Sequence, residues 1–396
     1  MKVSRRAFLK TSAATLMGAG LPGYFSSIAI GKEKKSIKEF RFSASTARVN
    51  LGAGPDFVAW TYNGQVPGPE IRVKEGEIIR VVLKNYLPQG TTIHWHGIPI
   101  VNAMDGVPGI TQKIVKPGET FVYEFEAKPA GTFIYHSHAK YQLDQGLYGP
   151  LIIEPAKSEE SYADREYSLT IYYLQFAGHS LTITHADGNP IKPIETDVLR
   201  IGMGERYDVM CTADNPGHWF LAASEEGFGE GQLRVPIRYQ GVQQKEPTMP
   251  SFHPRLHMAS YENFQALHPV EDRGTERPRS YEQILSGGMH SPLWSINNQV
   301  YPDADPLVVH NGERVRLDYW NHSMMPHPMH LHGHFFRVVN PALPRERWIQ
   351  KDTLIIDPMQ RIDVEFIADN PGKWFHHCHN LYHMEAGMAN VVVYQG

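Results

Sequence analysis

The sequence predicts an all-β chain of three consecutive Greek-key β-sandwich domains, the middle one shortened. Two observations carry that reading. A turn followed by an aromatic strand recurs three times along the chain, each time after another alternating strand. Gly (34) and Pro (29) are also numerous enough in 396 residues to punctuate many short strands.

The first copy is residues 129–138 (PAGTFIYHSH), after the strand at 118–125 (GETFVYEF). The second is 214–224 (DNPGHWFLAAS), after 204–210 (GERYDVM). The third is 369–379 (DNPGKWFHHCH), after 360–366 (QRIDVEF). A further pair of segments matches only at the two ends of the chain. His94-Trp95-His96-Gly97 resembles His330-Leu331-His332-Gly333, each following a long strand signal at 73–85 or 309–321. The first domain is therefore placed at 36–157 and the third at 279–396. In the middle, Gly178-His179 matches Gly333-His334, but little precedes it. Domain two, at 158–242, lacks roughly forty of the ~100 residues of a full sandwich. Its missing strands should expose an edge or be replaced by a neighbour. Residues 243–278 read as a polar, mostly irregular linker that holds His253, His257, Met258 and His268.

The chain opens on Ser4-Arg5-Arg6-Ala7-Phe8-Leu9-Lys10 and a weakly apolar run to about Ile30, which resembles a twin-arginine export signal at 1–30. No later stretch is long and apolar enough to cross a membrane. The expected location after signal removal is the periplasm, as a soluble monomer with self-association left open. A net charge of -4 gives no reason to expect a nucleic-acid partner.

The 21 histidines are about twice the ordinary share, and eight of them recur as His-x-His at 94/96, 136/138, 330/332 and 377/379. In a strand, residues i and i+2 point the same way, so each pair can offer two imidazoles to one site. Four such pairs at equivalent places in two repeats indicate metal binding. Cys378, between His377 and His379, must face the other side of its strand. His327, His383 and Met388 are near enough in sequence to join it, and two His, one Cys and a weak Met make a blue-copper site.

At this point the chain resembles the multicopper oxidases, the laccase-like family. The motifs that carry the resemblance are His94-Trp95-His96-Gly97, His136-Ser137-His138, residues 327–333 (HPMHLHG) and residues 377–388 (HCHNLYHMEAGM). The match runs from about Gly68 to the C-terminus, apart from the shortened middle. The resemblance implies cupredoxin-like sandwiches and four copper ions. His327, Cys378, His383 and Met388 would hold type 1 copper, and His94 and His330 type 2 copper. His96, His136, His138, His332, His377 and His379 would hold the type 3 pair, between domains one and three. The implied reaction is one-electron oxidation of a small reducing substrate, phenol-type or Cu(I), coupled to reduction of O2 to water.

Ala222, Ala223 and Ser224 stand where domain three has His377, Cys378 and His379, so the middle domain should bind no copper and act as a spacer. Cys211 reads as a buried free thiol. His376, His334 and His179 read as packing or hydrogen-bonding residues, and Met324, Met325, Met329 and Met384 as lining of the type 1 pocket. Asp105, in Met104-Asp105-Gly106, resembles the family's acid near the trinuclear site, where it would supply protons. Some bacterial relatives carry an acid directly after the second type 1 histidine, and Met384 occupies that place here. The shortened middle domain is expected to leave the type 1 site open to bulky donors. Two rival functions share parts of this pattern: a copper-tolerance protein with metal as cargo, and a copper nitrite reductase. The complete type 3 set disfavours both.

Overall fold

Alternation decides burial in strands that turn one face to the core and the other to solvent. In Ile78–Asn85 every second residue turns inward and Ile79, Val81 and Leu83 lose all contact with solvent. Val315, Leu317 and Tyr319 do the same in Arg314–Asn321. Both strands take a parallel neighbour from earlier in the chain, Ile37–Val49 in one case and Arg279–Ser286 in the other. A half-buried strand with β-branched inward residues gains from packing on one face and hydration on the other. The computed structural model describes residues 35–396 except 51, 53, 158–165, 167–172, 225–232, 244–245, 248–255, 275–276, 289–291 and 396. The export segment at 1–30 and His253 lie outside the described residues.

The described strands form three successive pairs of sheets. The first pair comprises Phe57–Tyr62, Ile37–Val49, Ile78–Asn85 and Thr120–Glu126 in spatial order, and Ile71–Lys74, Tyr148–Glu154, Gly131–His136 and His94–His96. The middle pair is smaller: Asn189–Thr196, Leu181–Ala186 and Tyr207–Met210, with Leu199–Arg200, Tyr173–Phe176, His218–Ser224 and Leu233–Arg238. The last pair has six and five strands. Its five-stranded sheet runs Leu307–His310, Ala389–Gln395, Lys373–Cys378, His327–Leu331 and Thr353–Ile356. Among the described residues, no helix is long and apolar enough to cross a membrane.

The repeat seen in the sequence is a repeat of hydrogen bonds. Asn370 donates from its amide to Gly333 O at 3.0 Å, and Asn215 donates to Gly178 O at 2.9 Å. Trp374 Nε1 donates to Asn370 O and Trp219 Nε1 to Asn215 O, at 2.7 and 2.8 Å. His334 meets the Tyr394 hydroxyl and His179 the Tyr239 hydroxyl, both at 2.6 Å. Gly333 and Gly178 have φ of +69° and +71° and each faces the indole of its module, so a side chain there would meet both strain and a clash.

The shortened middle module is completed by the linker. Lys192 N–H donates to Gln265 O and Leu267 N–H to Pro190 O, so residues 265–267 lie along the edge strand Asn189–Thr196. Asp197 and Val198 N–H both reach His257 O further along. The linker is irregular as expected, but it buries Phe264 and Ala266 and covers an edge that would otherwise expose unpaired backbone groups. Its far end bonds to the third module through Ala266 N–H to Arg347 O and Val270 N–H to Glu346 O.

Cys211 departs from expectation. It is exposed, because it follows the end of the edge strand Tyr207–Met210, where no further strand among the described residues covers it.

Asn370 ties two carbonyls, Ile100 O and Gly333 O, across the first and third modules. Replacing it with Ala should destabilise the fold by about 1–3 kcal/mol, the cost of leaving such partners unpaired. The check is a lowered urea midpoint with an unchanged slope.

Candidate metal centre

Register brings the histidine pairs together. His94 stands opposite His136 in one antiparallel pairing, and His330 opposite His377 in another. The strand His327–Leu331 also pairs Met329 with Cys378. Odd positions of that strand therefore face the Cys378 side, and His330 with His332 just beyond it faces the opposite side. After Cys378 the chain turns. Asn380 caps the five-residue helix Leu381–Glu385 by accepting from Tyr382 N–H at 3.1 Å, which returns His383 toward the sulfur. Cys378 N–H then donates to Met388 O at 3.0 Å, seating the fully buried Met388 beside the same strand.

Two centres result, one on each side of Lys373–Cys378. On one side, His327 Nδ1 and His383 Nδ1 lie 3.0 Å apart and each is 3.6 Å from Cys378 Sγ. On the other side, eight histidines converge in three groups, two of which share His96: His96, His136 and His379; His138, His332 and His377; and His94, His96 and His330. All ten sequence-identified histidines are brought to one centre or the other, and all are buried.

Six of the rings are held by one nitrogen at a backbone or side-chain oxygen and offer the other. A carbonyl can only accept, so the nitrogen facing it carries the proton. His94 Nδ1–H donates to Asp105 O at 2.8 Å, His136 to Ser137 O at 3.0 Å, His330 to Asp352 O at 2.9 Å and His377 to Cys378 O at 2.9 Å. His332 Nδ1–H reaches the Asp105 carboxylate at 3.1 Å, and His327 Nε2 faces the Ser323 hydroxyl at 2.7 Å. The inward nitrogens of His94, His138 and His330 are buried without a hydrogen-bond partner. Others meet only each other, as His332 and His377 do through Nε2 at 3.0 Å. Buried polar atoms without partners are costly, and a shared ion bound at about 2.0–2.3 Å would satisfy them. The residues present fit a set of soft, nitrogen- and sulfur-ligated metal ions.

Burial also fixes the protonation. It pushes His138 and His327 down to about 3 and His383 down to about 4, with neighbouring rings adding to the shift of the first two. His96, His136, His332, His377 and His379 fall well below the ordinary imidazole range for the same cause. Neutral imidazole is the form that ligates metal. Burial pushes the Cys378 thiol up to about 12, so it stays protonated until a cation arrives.

The chain matches family profiles described as Multicopper oxidase over residues 44–158, 168–242 and 274–396. It is 31% identical to multicopper oxidase MmcO of Mycobacterium tuberculosis, covering 88% of this chain and 85% of that one. It belongs to the multicopper oxidase family. It is therefore a copper oxidoreductase that uses O2 as acceptor for electrons from a reducing substrate. A copper resistance protein A homolog of Pseudomonas syringae pv. tomato is 24% identical over 99% of both chains. The fold resembles that of a multi-copper oxidase from Pseudomonas thermotolerans, with TM-score 0.71, 24% identity and coverage of 91% and 100%. It also resembles a laccase from Botrytis aclada, with TM-score 0.77, 23% identity and coverage of 91% and 88%.

Within this multicopper oxidase, Asp105 is fully buried, with its carboxylate 3.1 Å from His332 Nδ1 and 3.2 Å from His94 Nδ1. His376 bonds Tyr319 and Asn390, and His334 bonds Tyr394, as noncoordinating residues should. The open type 1 site expected from the shortened middle module is contradicted. His327 is 0% and His383 3% exposed, and the Trp294 ring lies 3.9 Å from that of His383. The cover comes from the third module's own strand connection, so trimming the middle module does not remove it.

A second carboxylate was not recognised in the sequence. Asp352 Oδ1 is 3.1 Å from His96 Nε2 and 3.5 Å from His330 Nδ1. Burial raises its pKa, but Arg206 and hydrogen bonds from His330 and His96 outweigh this and hold it well below the carboxylate range. The available signal was the Lys351-Asp352 pair set within an otherwise apolar stretch, 348–356 (WIQKDTLII).

The depressed histidines set a pH window for the metal-free chain. Below about 6.5 the unfolded chain takes up protons that the folded chain refuses until about 4 or 3. Stability is thus intact above the unfolded value and lost as pH falls toward the folded ones. Thermal melts should be flat from pH 8 to 7 and drop steeply between about pH 6.5 and 4.

Proposed function

We propose that this protein is an exported four-copper oxidase, taking single electrons from a small donor at a type 1 site and reducing O2 at a trinuclear site. The observation that supports this most strongly is the two buried donor sets on opposite faces of one strand, one with a thiol and one without. His327, Cys378, His383 and Met388 would hold type 1 copper. His94 and His330 would hold type 2, and His96, His136, His138, His332, His377 and His379 the type 3 pair. Bound copper would supply the one-electron redox steps that join donor oxidation to four-electron reduction of O2.

The chain supplies everything else. Cys378 is covalently continuous with His377 and His379, giving the shortest through-bond path between the two sets. Trp294 packs on both rings of the type 1 set and excludes water there. Asp105 holds the proton-bearing Nδ1 of His332 and is the carboxylate we assign to proton supply during O2 reduction. Domain limits of 36–157, 158–242 and 279–396, with a linker at 243–278, belong to the same reading. So do the twin-arginine signal, the periplasmic location and a monomeric state.

The donor is a phenol-type compound or Cu(I). The covered histidines favour the smaller one, and Met324, 81% exposed and next to the Ser323 that bonds His327, offers a thioether at the surface. A cargo role for the metal is disfavoured because all the ligands are buried among fixed partners.

Metal analysis of the loaded protein should give four coppers and a blue colour, with O2 uptake faster on Cu(I) than on a phenol. Cys378→Ser should abolish the blue absorption and most uptake, since a hydroxyl cannot replace the soft thiolate. Two or fewer coppers in the fully loaded wild type would sink the reading.

Asp105→Asn keeps the size and removes the acid. Reoxidation of the reduced enzyme by O2 should slow by roughly tenfold or more, while the blue site still accepts electrons at the wild-type rate. Equal reoxidation rates would leave Asp105 as a hydrogen-bond partner of His332 with no part in proton supply.

A further inference from the structure

The middle module carries no ligand. Ala222, Ala223 and Ser224 are small and buried where the third module has His, Cys and His. It nevertheless reaches the trinuclear cluster. Arg206, just before the strand Tyr207–Met210, forms a two-pronged bond to Asp352, with Nη1 to Oδ1 at 2.7 Å and Nη2 to Oδ2 at 2.6 Å. Asp187, also from the middle module, accepts from Arg206 N–H at 2.9 Å and from Asp352 N–H and Thr353 N–H at 3.1 Å each. Arg206, Asp187 and Asp352 are all buried.

Asp352 in turn contacts one ring in a distinctive way. His96 gives its Nε2 to Asp352 Oδ1 at 3.1 Å and to Thr353 Oγ1 at 3.0 Å. Its Nδ1 is left facing His136 Nε2 at 3.4 Å. His94, His136, His138, His330 and His332 are arranged the other way, with Nε2 inward. A carboxylate can only accept, so it forces the proton onto Nε2 and frees Nδ1 for the cluster.

A second contact comes from Gly204. Its φ is +92°, and an added Cβ would lie 2.8 Å from His96 Cε1 and 3.1 Å from His379. The turn at Gly204 is a wall of the cluster against which both rings rest.

Resting on the four-copper reading, we propose that Asp352 is a positioning residue clamped by Arg206 and Asp187. Through it, the middle module sets the orientation and tautomer of His96 and so the geometry of the type 2 and type 3 sites. Asn at 352 would turn an N–H donor toward either Arg206 or His96 Nε2–H, and neither accepts it. Lys at 206 keeps the buried charge but cannot span both carboxylate oxygens. Ala at 204 leaves the ion pair intact and displaces the rings directly.

The test compares copper-loaded wild type with Asp352→Asn, Arg206→Lys and Gly204→Ala. It measures copper per chain, the blue absorption, the type 2 electron paramagnetic resonance signal and the near-ultraviolet band of the coupled pair. The expected result is an altered type 2 signal and loss of at least half the near-ultraviolet band, with blue absorption per chain kept. Unchanged signatures in all three variants would overturn the proposal. So would blue absorption that falls in step with the other signals, since the clamp would then serve only general folding. A wild type that itself lacks four coppers would fail the underlying reading instead.

Discussion

The strict two-residue period of a β-strand is the constraint on which the rest of the molecule depends. Lys373–Cys378 must place Cys378 on one face and His377, with His379 just beyond, on the other. His327–Leu331 obeys the same period in the facing strand, so His327 joins the sulfur and His330 joins the cluster. One residue of slip in that pairing would send His327 and His330 to the wrong sides. Register is held by apolar residues that share the alternation, among them Met329, Leu331 and Trp374, all buried. The core and the metal sites are therefore specified by the same pattern.

Burial then does two things at once. It strips the rings of solvent and keeps them neutral, and it leaves inward nitrogens with nothing to bond except one another or a metal. Uncompensated, such groups are a liability of about 1–3 kcal/mol each. The same burial raises the Cys378 thiol to about 12, so a metal that displaces its proton supplies a local charge larger than any side chain present. Metal affinity and fold stability are thus linked in this chain, and both weaken in acid.

The clustered histidines and Cys378 were legible because strand spacing is a local property. Four His-x-His pairs and the Cys378 segment can be read without knowing which strands are neighbours. The repeated modules were legible for a similar reason: Gly333 with Trp374 and Gly178 with Trp219 are copies of one packing arrangement. What could not be read depends on long-range approach. Asp352 and Arg206 are 146 positions apart and neither belongs to a motif. The linker's cover over Asn189–Thr196 comes from residues of unremarkable polarity. Trp294 over His383 was missed because the two rings meet across 89 positions of sequence, which led to the mistaken expectation of an open type 1 site. Cys211 was misjudged because an edge strand and an inner strand look alike in a short apolar run.

The middle module shows how a chain can lose strands without losing its centre. Its contact with the cluster is concentrated at Asp187, Gly204 and Arg206, which lie on or beside the sheet of Asn189–Thr196, Leu181–Ala186 and Tyr207–Met210. That sheet is retained and its outer edge is covered by the linker. Lys351 adds a further buried tie, with Nζ 3.2 Å from Asp187 and 3.0 Å from Glu205, while the Tyr261 hydroxyl of the linker donates to the same Glu205 at 2.5 Å. Removing one partner of such a buried charge pair typically costs about 3–5 kcal/mol, because the other is left without compensation. Strands distant from this network carry no such penalty. Shortening is tolerable where a module meets solvent and intolerable where it meets the histidines, and that is the division between what this module lacks and what it keeps.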